Sequence, residues 1–276
     1  VRPALAIAKA SDADLGLIRA VAAGQAVSIE PALLTAVQQR CTAARQALRD
    51  GQTVYGVNTG MGALSSVRLT EQQQLSHQRN LLLARATGGP PWLSPPDVRA
   101  VITVRLLTFL SGDAAVSAGL CQRLADFLNY DIVPAVPRAG GAAAGEIIPL
   151  AHAFGPLVGI GQVLGPDGDL MPAREALSSY GLTGFSLGPK EGIALIQGVP
   201  GVTGLSVLRL DEAAALTSLM EKAAALSIVA ARAPRDPYRA ACGRGRRAGA
   251  ALPASAGVVP GGRTGARPGP SGRRPA

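Results

Sequence analysis

Two imidazoles, His77 and His152, are the side chains of this 276-residue chain best suited to moving a proton near neutral pH. No cysteine or carboxylate pair stands at ligand spacing beside either. Neither therefore marks a metal site, and both read as packed or capped helix residues. Gly60-Met61-Gly62 is shorter than a dinucleotide fingerprint and has no strand-to-helix context. Ser65-Ser66 lacks the pattern of a nucleophile elbow. What remains are two loops rich in small residues. One is YGVNTGMGAL, from Tyr55. The other opens the stretch Pro137 to Leu164, where seven residues from Ala139 to Gly145 carry almost no side chain. Such residues allow close backbone approach and turns that a Cβ forbids. On residue type and spacing alone, the chemistry belongs to these loops and the reaction is unspecified.

The elements that must hold them read as helices. Ser11-Asp12 marks a first start, with Leu15, Ile18 and Val21 on one face. Pro31 suits a first helical turn, and Leu33, Leu34, Val37, Cys41, Ala44 and Leu48 then recur at helical spacing. Thr53 to Val57 reads as a short extended piece. Thr70 and Gln73 have capping-box spacing, giving a helix over 71–86 stopped by Gly88-Gly89-Pro90-Pro91. Further helices are expected from Ser94, over 117–129, 172–180 and 190–197, and as one long Ala- and Leu-rich helix over 202–232. The apolar run after Gly145 has no polar face, so a buried central helix carrying the tight loop on its end is expected. Pro149, Pro156, Gln162 and the lack of a basic flank argue against a membrane span. There is no alternating strand series and no internal repeat. The fold class is all-α, with one helical domain over 1–232.

The net charge of +9 is unevenly placed. From Ala233 onward nine arginines face one acid, Asp236, so the last 44 residues carry +8 and the body +1. With nine Gly and seven Pro besides, this tail is either disordered or a sequence read out of frame from a GC-rich gene. A nucleic-acid arm is disfavoured, because Tyr238 is the only aromatic there. Cys41, Cys121 and Cys242 are odd in number and widely spaced, which predicts reduced thiols in a cytoplasmic protein. No charged-then-apolar leader opens the chain.

The loop YGVNTGMG at 55–62 resembles the YGVNTGFG loop of the histidine and phenylalanine ammonia-lyases. LLLARATGG, AGGAAAGEIIPLAH, GPKEGIALIQG and the long helix after them fall in that family's order, over residues 1–232. The resemblance implies a helical fold, a homotetramer with shared sites, and non-oxidative loss of ammonia from an amino-acid substrate. It implies an electrophile made from the backbone: an Ala-Ser-Gly tripeptide cyclises to a methylidene-imidazolone, whose methylene comes from the serine Cβ. It implies that Tyr55 is the general base toward the β-proton. A phenol ordinarily ionises near pH ~10, so that role needs a site that stabilises the phenolate. Asn58 and Gly62 of the same loop, with Arg85 and Gln197, then fall among the substrate-binding positions.

Departures from the family's pattern sit at the centre of this chemistry. The tripeptide is Ala143-Ala144-Gly145, so alanine stands where the serine hydroxyl would be eliminated, and no methylidene-imidazolone is expected. The next acid, usually Asp, is Glu146, and the preceding Gly is Ala142. The prosthetic-group asparagine is replaced by Gln197, and the position holding histidine in histidine-specific members is Arg85. Arg85 either binds an anionic group through its planar fork or forms a helix salt bridge. A QDPYS-type loop has no expected counterpart, and the chain reads as truncated. Three readings stay open: a lyase relative without the usual elimination, an acid–base enzyme independent of the prosthetic group, and a non-catalytic interaction protein.

Overall fold

A computed structural model of the chain describes residues 3–49, 53–139, 145–165, 167–234 and 236–238. The chain divides into two compact units, Val1–Leu210 and Asp211–Ala276. The first is organised on one helix. That helix, α4 (Pro95–Leu110), buries thirteen of its sixteen residues. Its start is set by sequence: the Ser94 hydroxyl accepts the Asp97 N–H, and Pro95 follows where a missing N–H costs nothing. A helix with apolar residues on every side has to be enclosed. Four others serve that end, α1 (Leu15–Ala22), α2 (Pro31–Arg49), α5 (Ala118–Asn129) and α6 (Ile147–Phe154), all packing on α4.

The first helix begins later than Ser11-Asp12 suggests. Residues Ala10–Asp12 form a 3-10 turn, because the Asp12 carboxylate accepts the N–H groups of Ala8 and Lys9 upstream. It is Asp14 that caps α1, through the Leu17 N–H at 2.7 Å. α3 (Glu71–Leu83) has the expected Thr70–Gln73 capping box but stops three residues short of Ala86. α7 (Ala173–Ser179), α8 (Glu191–Ile196) and α9 (Pro200–Ala230) follow, close to their expected bounds.

Among the described residues, five short strands escaped the sequence reading. β1 (Leu5–Ile7) pairs in parallel with β2 (Val27–Ile29), and β3 (Val133–Pro134), β4 (Gln162–Leu164) and β5 (Leu170–Pro172) form an antiparallel sheet. Two or three residues are too few for an alternation to register. The Asn129 side chain substitutes for a third strand beside β2, bonding both N–H and C=O of Val27 at 2.8 and 2.9 Å. The extended piece expected at Thr53–Val57 does not form a strand, and residues 55–58 are turns.

The stretch after Gly145 is also not the single central helix expected. It is α6, then a 3-10 turn over Gly155–Val158, then β4. Central burial belongs to α4. In the second unit, α9 continues with Leu216, Leu219, Met220, Leu226 and Val229 exposed. Among the described residues, Glu191–Ala230 is the helical stretch long and apolar enough to cross a membrane by length and composition. The basic tail from Ala240 onward lies outside the described residues.

Candidate active site

The loop after Tyr55 is folded by its own side chains. Asn58 Oδ1 accepts the Val54 N–H at 2.7 Å, and Leu69 returns to donate to the Asn58 carbonyl at 3.0 Å. Thr59, buried, pairs across the loop with Arg68 in an isolated antiparallel bridge. Gly56 takes φ +69°, and a Cβ there would lie 2.3 Å from Ile193 Cδ1. These constraints curl the chain until the Gly62 N–H donates to the Tyr55 hydroxyl oxygen at 3.0 Å. The phenol is half exposed.

Gln78 fixes this loop to the rest of the unit. It is fully buried on α3; its Nε2 donates to the Gly56 carbonyl at 3.1 Å and its Oε1 accepts the Ile193 N–H at 3.0 Å. α3 and α8 approach closely enough that a Cβ on Gly192 would lie 2.2 Å from the Gln78 carbonyl oxygen. Glu191 anchors the other side of α8. Its buried carboxylate accepts the N–H groups of Ser117 at 2.8 Å and Gly188 at 2.5 Å, with Arg45 at 3.8 Å.

Arg85 lies just past the end of α3, partly buried. Its contacts are a long hydrogen bond to the Leu81 carbonyl, 3.4 Å, and the Met61 sulfur at 3.9 Å from Nη2. No carboxylate lies within 4.0 Å of it among the described residues, so the salt-bridged alternative has no partner there. Tyr55, Met61, Gly62 and Arg85 are thus brought to one place, from two segments thirty residues apart in sequence. Asn58 is placed differently. It lines a cavity of about 430 Å³ with Arg45, Arg68 and Gln74, whose lining includes neither Tyr55 nor Arg85.

Ala143 and Ala144 lie outside the described residues, and Gly145 is the first described residue after them. Beyond it, Glu146 accepts the Gly201 N–H at 2.6 Å and also the Val202 N–H, placing a carboxylate on the N-terminus of α9. Arg105, on α4, donates to the Gln197 carbonyl, while the Gln197 side chain is exposed. The Arg105 guanidinium stands over the Phe109 and Phe154 rings, and burial pushes its pKa down to about 10, opposed by the charge of Glu146. Gln78, Glu191 and Arg105 were not found by sequence reasoning. A charged residue inside a largely apolar helix was the signal for Arg105; Gln78, among the many polar residues of α3, gave none.

His152 is half-buried on α6. Its Nε2 accepts the Gly88 N–H at 2.9 Å beside the Trp92 ring. Burial lowers its pKa below 6.5, opposed by the Ala135 backbone; burial, then the Arg85 charge, lowers that of His77. Both are held neutral in the folded state. Their contribution is complete above the unfolded value, 6.5, and lost as pH falls through the lower folded values. Urea unfolding at about pH 7.5 and about pH 5 is expected to show lower stability in acid, with a shallower dependence in His152→Gln.

A family model described as aromatic amino acid lyase matches residues 14–254. The match passes Arg232, where the resemblance was expected to end, and takes in Asp236-Pro237-Tyr238, a 3-10 turn sharing three residues with the QDPYS loop. That expectation is corrected: a counterpart to the start of this loop is present. The chain is 38% identical over 187 residues to a probable histidine ammonia-lyase of Thermoplasma acidophilum, covering 67% of this chain and 38% of that protein. It is 39% identical over 198 residues to a histidine ammonia-lyase of Geobacillus thermodenitrificans, covering 71% and 39%. The fold superposes on the phenylalanine aminomutase of Pantoea agglomerans with TM-score 0.78 at 28% identity, over 88% of this chain and 47% of that one. The chain therefore spans less than half the length of these relatives.

Proposed function

Because the chain belongs to the aromatic amino acid lyase family, we propose that it is a histidine-type ammonia-lyase homologue keeping the acid–base half of the site without its electrophile. The observation that carries the retained half is the Gly62 N–H directed at the Tyr55 oxygen. With that donor in place, the hydroxyl proton points away from the loop, and negative charge developing on the oxygen meets a fixed dipole. The other half rests on residue chemistry. Ala143-Ala144-Gly145 has no hydroxyl to expel, so the residues present do not fit a methylidene-imidazolone, and no step is routed through one.

The substrate class of the ancestral site is a small amino acid, and the setting is a cytoplasmic homo-oligomer. The exposed Leu216, Leu219, Met220 and Leu226 on α9 support self-association, since such a row is normally covered. Cys41 and Cys121 are buried free thiols, which supports a reducing compartment. Activity tests the reading directly. Purified chain incubated with L-histidine or L-phenylalanine is expected to give no acrylate absorbance in the near ultraviolet. Formation of urocanate or cinnamate at ordinary lyase rates contradicts it.

A further inference from the structure

We propose that the cavity of about 430 Å³ between the end of α2 and the start of α3 is a binding site for a small monocarboxylate with an apolar body. The inference does not depend on Tyr55 or Arg85, neither of which lines this cavity. Arg45 reaches it from α2, Arg68 from the chain leading into α3, and Glu71 from the first turn of α3. Leu48, Leu69, Leu75 and Pro189 supply an apolar surface beside these charges. A cavity of this volume, apolar in part and with a few charged groups turned to it, has the make-up of a small-ligand site.

Arg45 is poorly served by the fold. Its Nε is buried without an acceptor, and the carboxylate it meets, Glu191 Oε1, stands 3.8 Å from Nη2. That carboxylate already accepts the N–H groups of Ser117 and Gly188. Arg68 is held differently: its Nη2 donates to the Thr53 hydroxyl at 2.7 Å, which orients the planar group at the cavity. Local charge then decides the ligand. Lys190 follows Pro189 in the chain, and its charge reaches Cys41 as that of Arg45 does. Arg45, Arg68 and Lys190 stand against Glu71 and Glu191, so one positive charge is left in excess. That excess suits a monoanion better than a phosphate dianion. A carboxylate meets a guanidinium fork bidentately, whereas a neutral apolar molecule leaves it unpaired. The half-exposed Leu75 is covered only when the anion carries an apolar body.

The test is a titration of the isotope-labelled full chain with hexanoate and, separately, with n-hexanol and inorganic phosphate, followed by amide shifts. Hexanoate is expected to bind saturably, moving the amides of Asn58, Leu69 and Leu75, with affinity at least about tenfold above either control. Arg45→Gln is expected to weaken hexanoate by at least about tenfold and to leave n-hexanol unchanged. Leu75→Asp alters an exposed position, so folding is not at stake; it brings a carboxylate to the cavity and is expected to abolish hexanoate binding. Binding of n-hexanol as tight as that of hexanoate would reduce the cavity to an apolar cleft, and overturns the proposal. Phosphate binding as tight as hexanoate would make it a general anion site, with the same consequence. Saturable shifts at Met61 and Gly62 in place of Leu69 and Leu75 would put the acid beside Tyr55, and these too overturn it, as does an absence of saturable shifts in folded chain. A mass lowered by two waters would overturn the electrophile-free reading and leave this proposal standing, so the two failures are distinguishable.

Discussion

Arg99→Met is expected to destabilise the chain by about 3–5 kcal/mol, the largest effect of any single substitution outside the candidate site. Arg99 is buried on α4. Its Nε donates to the Val21 carbonyl at 2.7 Å, and Nη1 donates to the Leu128 carbonyl and to Asp131 Oδ1, both at 2.8 Å. Nη2 reaches the Gln25 carbonyl at 3.2 Å. One side chain thereby closes the C-terminal ends of α1 and α5, where a helix leaves carbonyls short of partners. Methionine fills the volume and strands the Leu128 and Gln25 carbonyls, while the Val21 carbonyl keeps the Gly24 N–H at 3.0 Å; each unsatisfied one costs about 1–3 kcal/mol. The Asp131 pairing contributes little, because that carboxylate is 73% exposed. Urea unfolding of Arg99→Met and Asp131→Asn separates the two, with a large midpoint shift in the first and a shift worth under about 1 kcal/mol in the second. Equal small shifts would show that the carbonyls find water.

Ala144→Ser is expected to change the covalent structure of the chain. Restoring the hydroxyl supplies the atom whose departure creates the exocyclic methylene. The variant is then expected to lose about 36 Da, two waters, and to gain near-ultraviolet absorbance. The flanks of the tripeptide are compatible with this. Glu146, next after Gly145, is clamped on the first N–H groups of α9, and Arg105 holds the carbonyl of Gln197 nearby in the same helix layer. An Ala144→Ser chain of full mass would place the defect elsewhere, in Ala142 or Glu146, which also depart from the family's pattern.

Helix identity was legible because apolar spacing and caps act locally. Thr70 with Gln73, Ser94 with Pro95 and Ser117 each begin a helix where the sequence places them. Asp12 misled, since its carboxylate folds backward onto Ala8 and Lys9 instead of forward into a helix. Which helix is central could not be read from apolar content. α4 carries Arg99, Thr103 and Arg105 in its interior; distant carbonyls receive the two arginines, and the Thr103 hydroxyl donates one turn back to the Arg99 carbonyl. The candidate site divides in the same way. Tyr55 and Arg85 were found by motif, while Gln78, which ties their loop to α8, makes contacts 22 and 115 residues away that no local pattern announces.

The central claim is that the Ala143-Ala144-Gly145 segment stays an ordinary peptide. Intact-mass measurement of the purified chain tests it without any assumption about substrate. The mass expected is that of the unmodified sequence, 27.9 kDa, with no near-ultraviolet band beyond that of its tyrosines and single tryptophan. A mass about 36 Da lower, with new absorbance, would contradict the account.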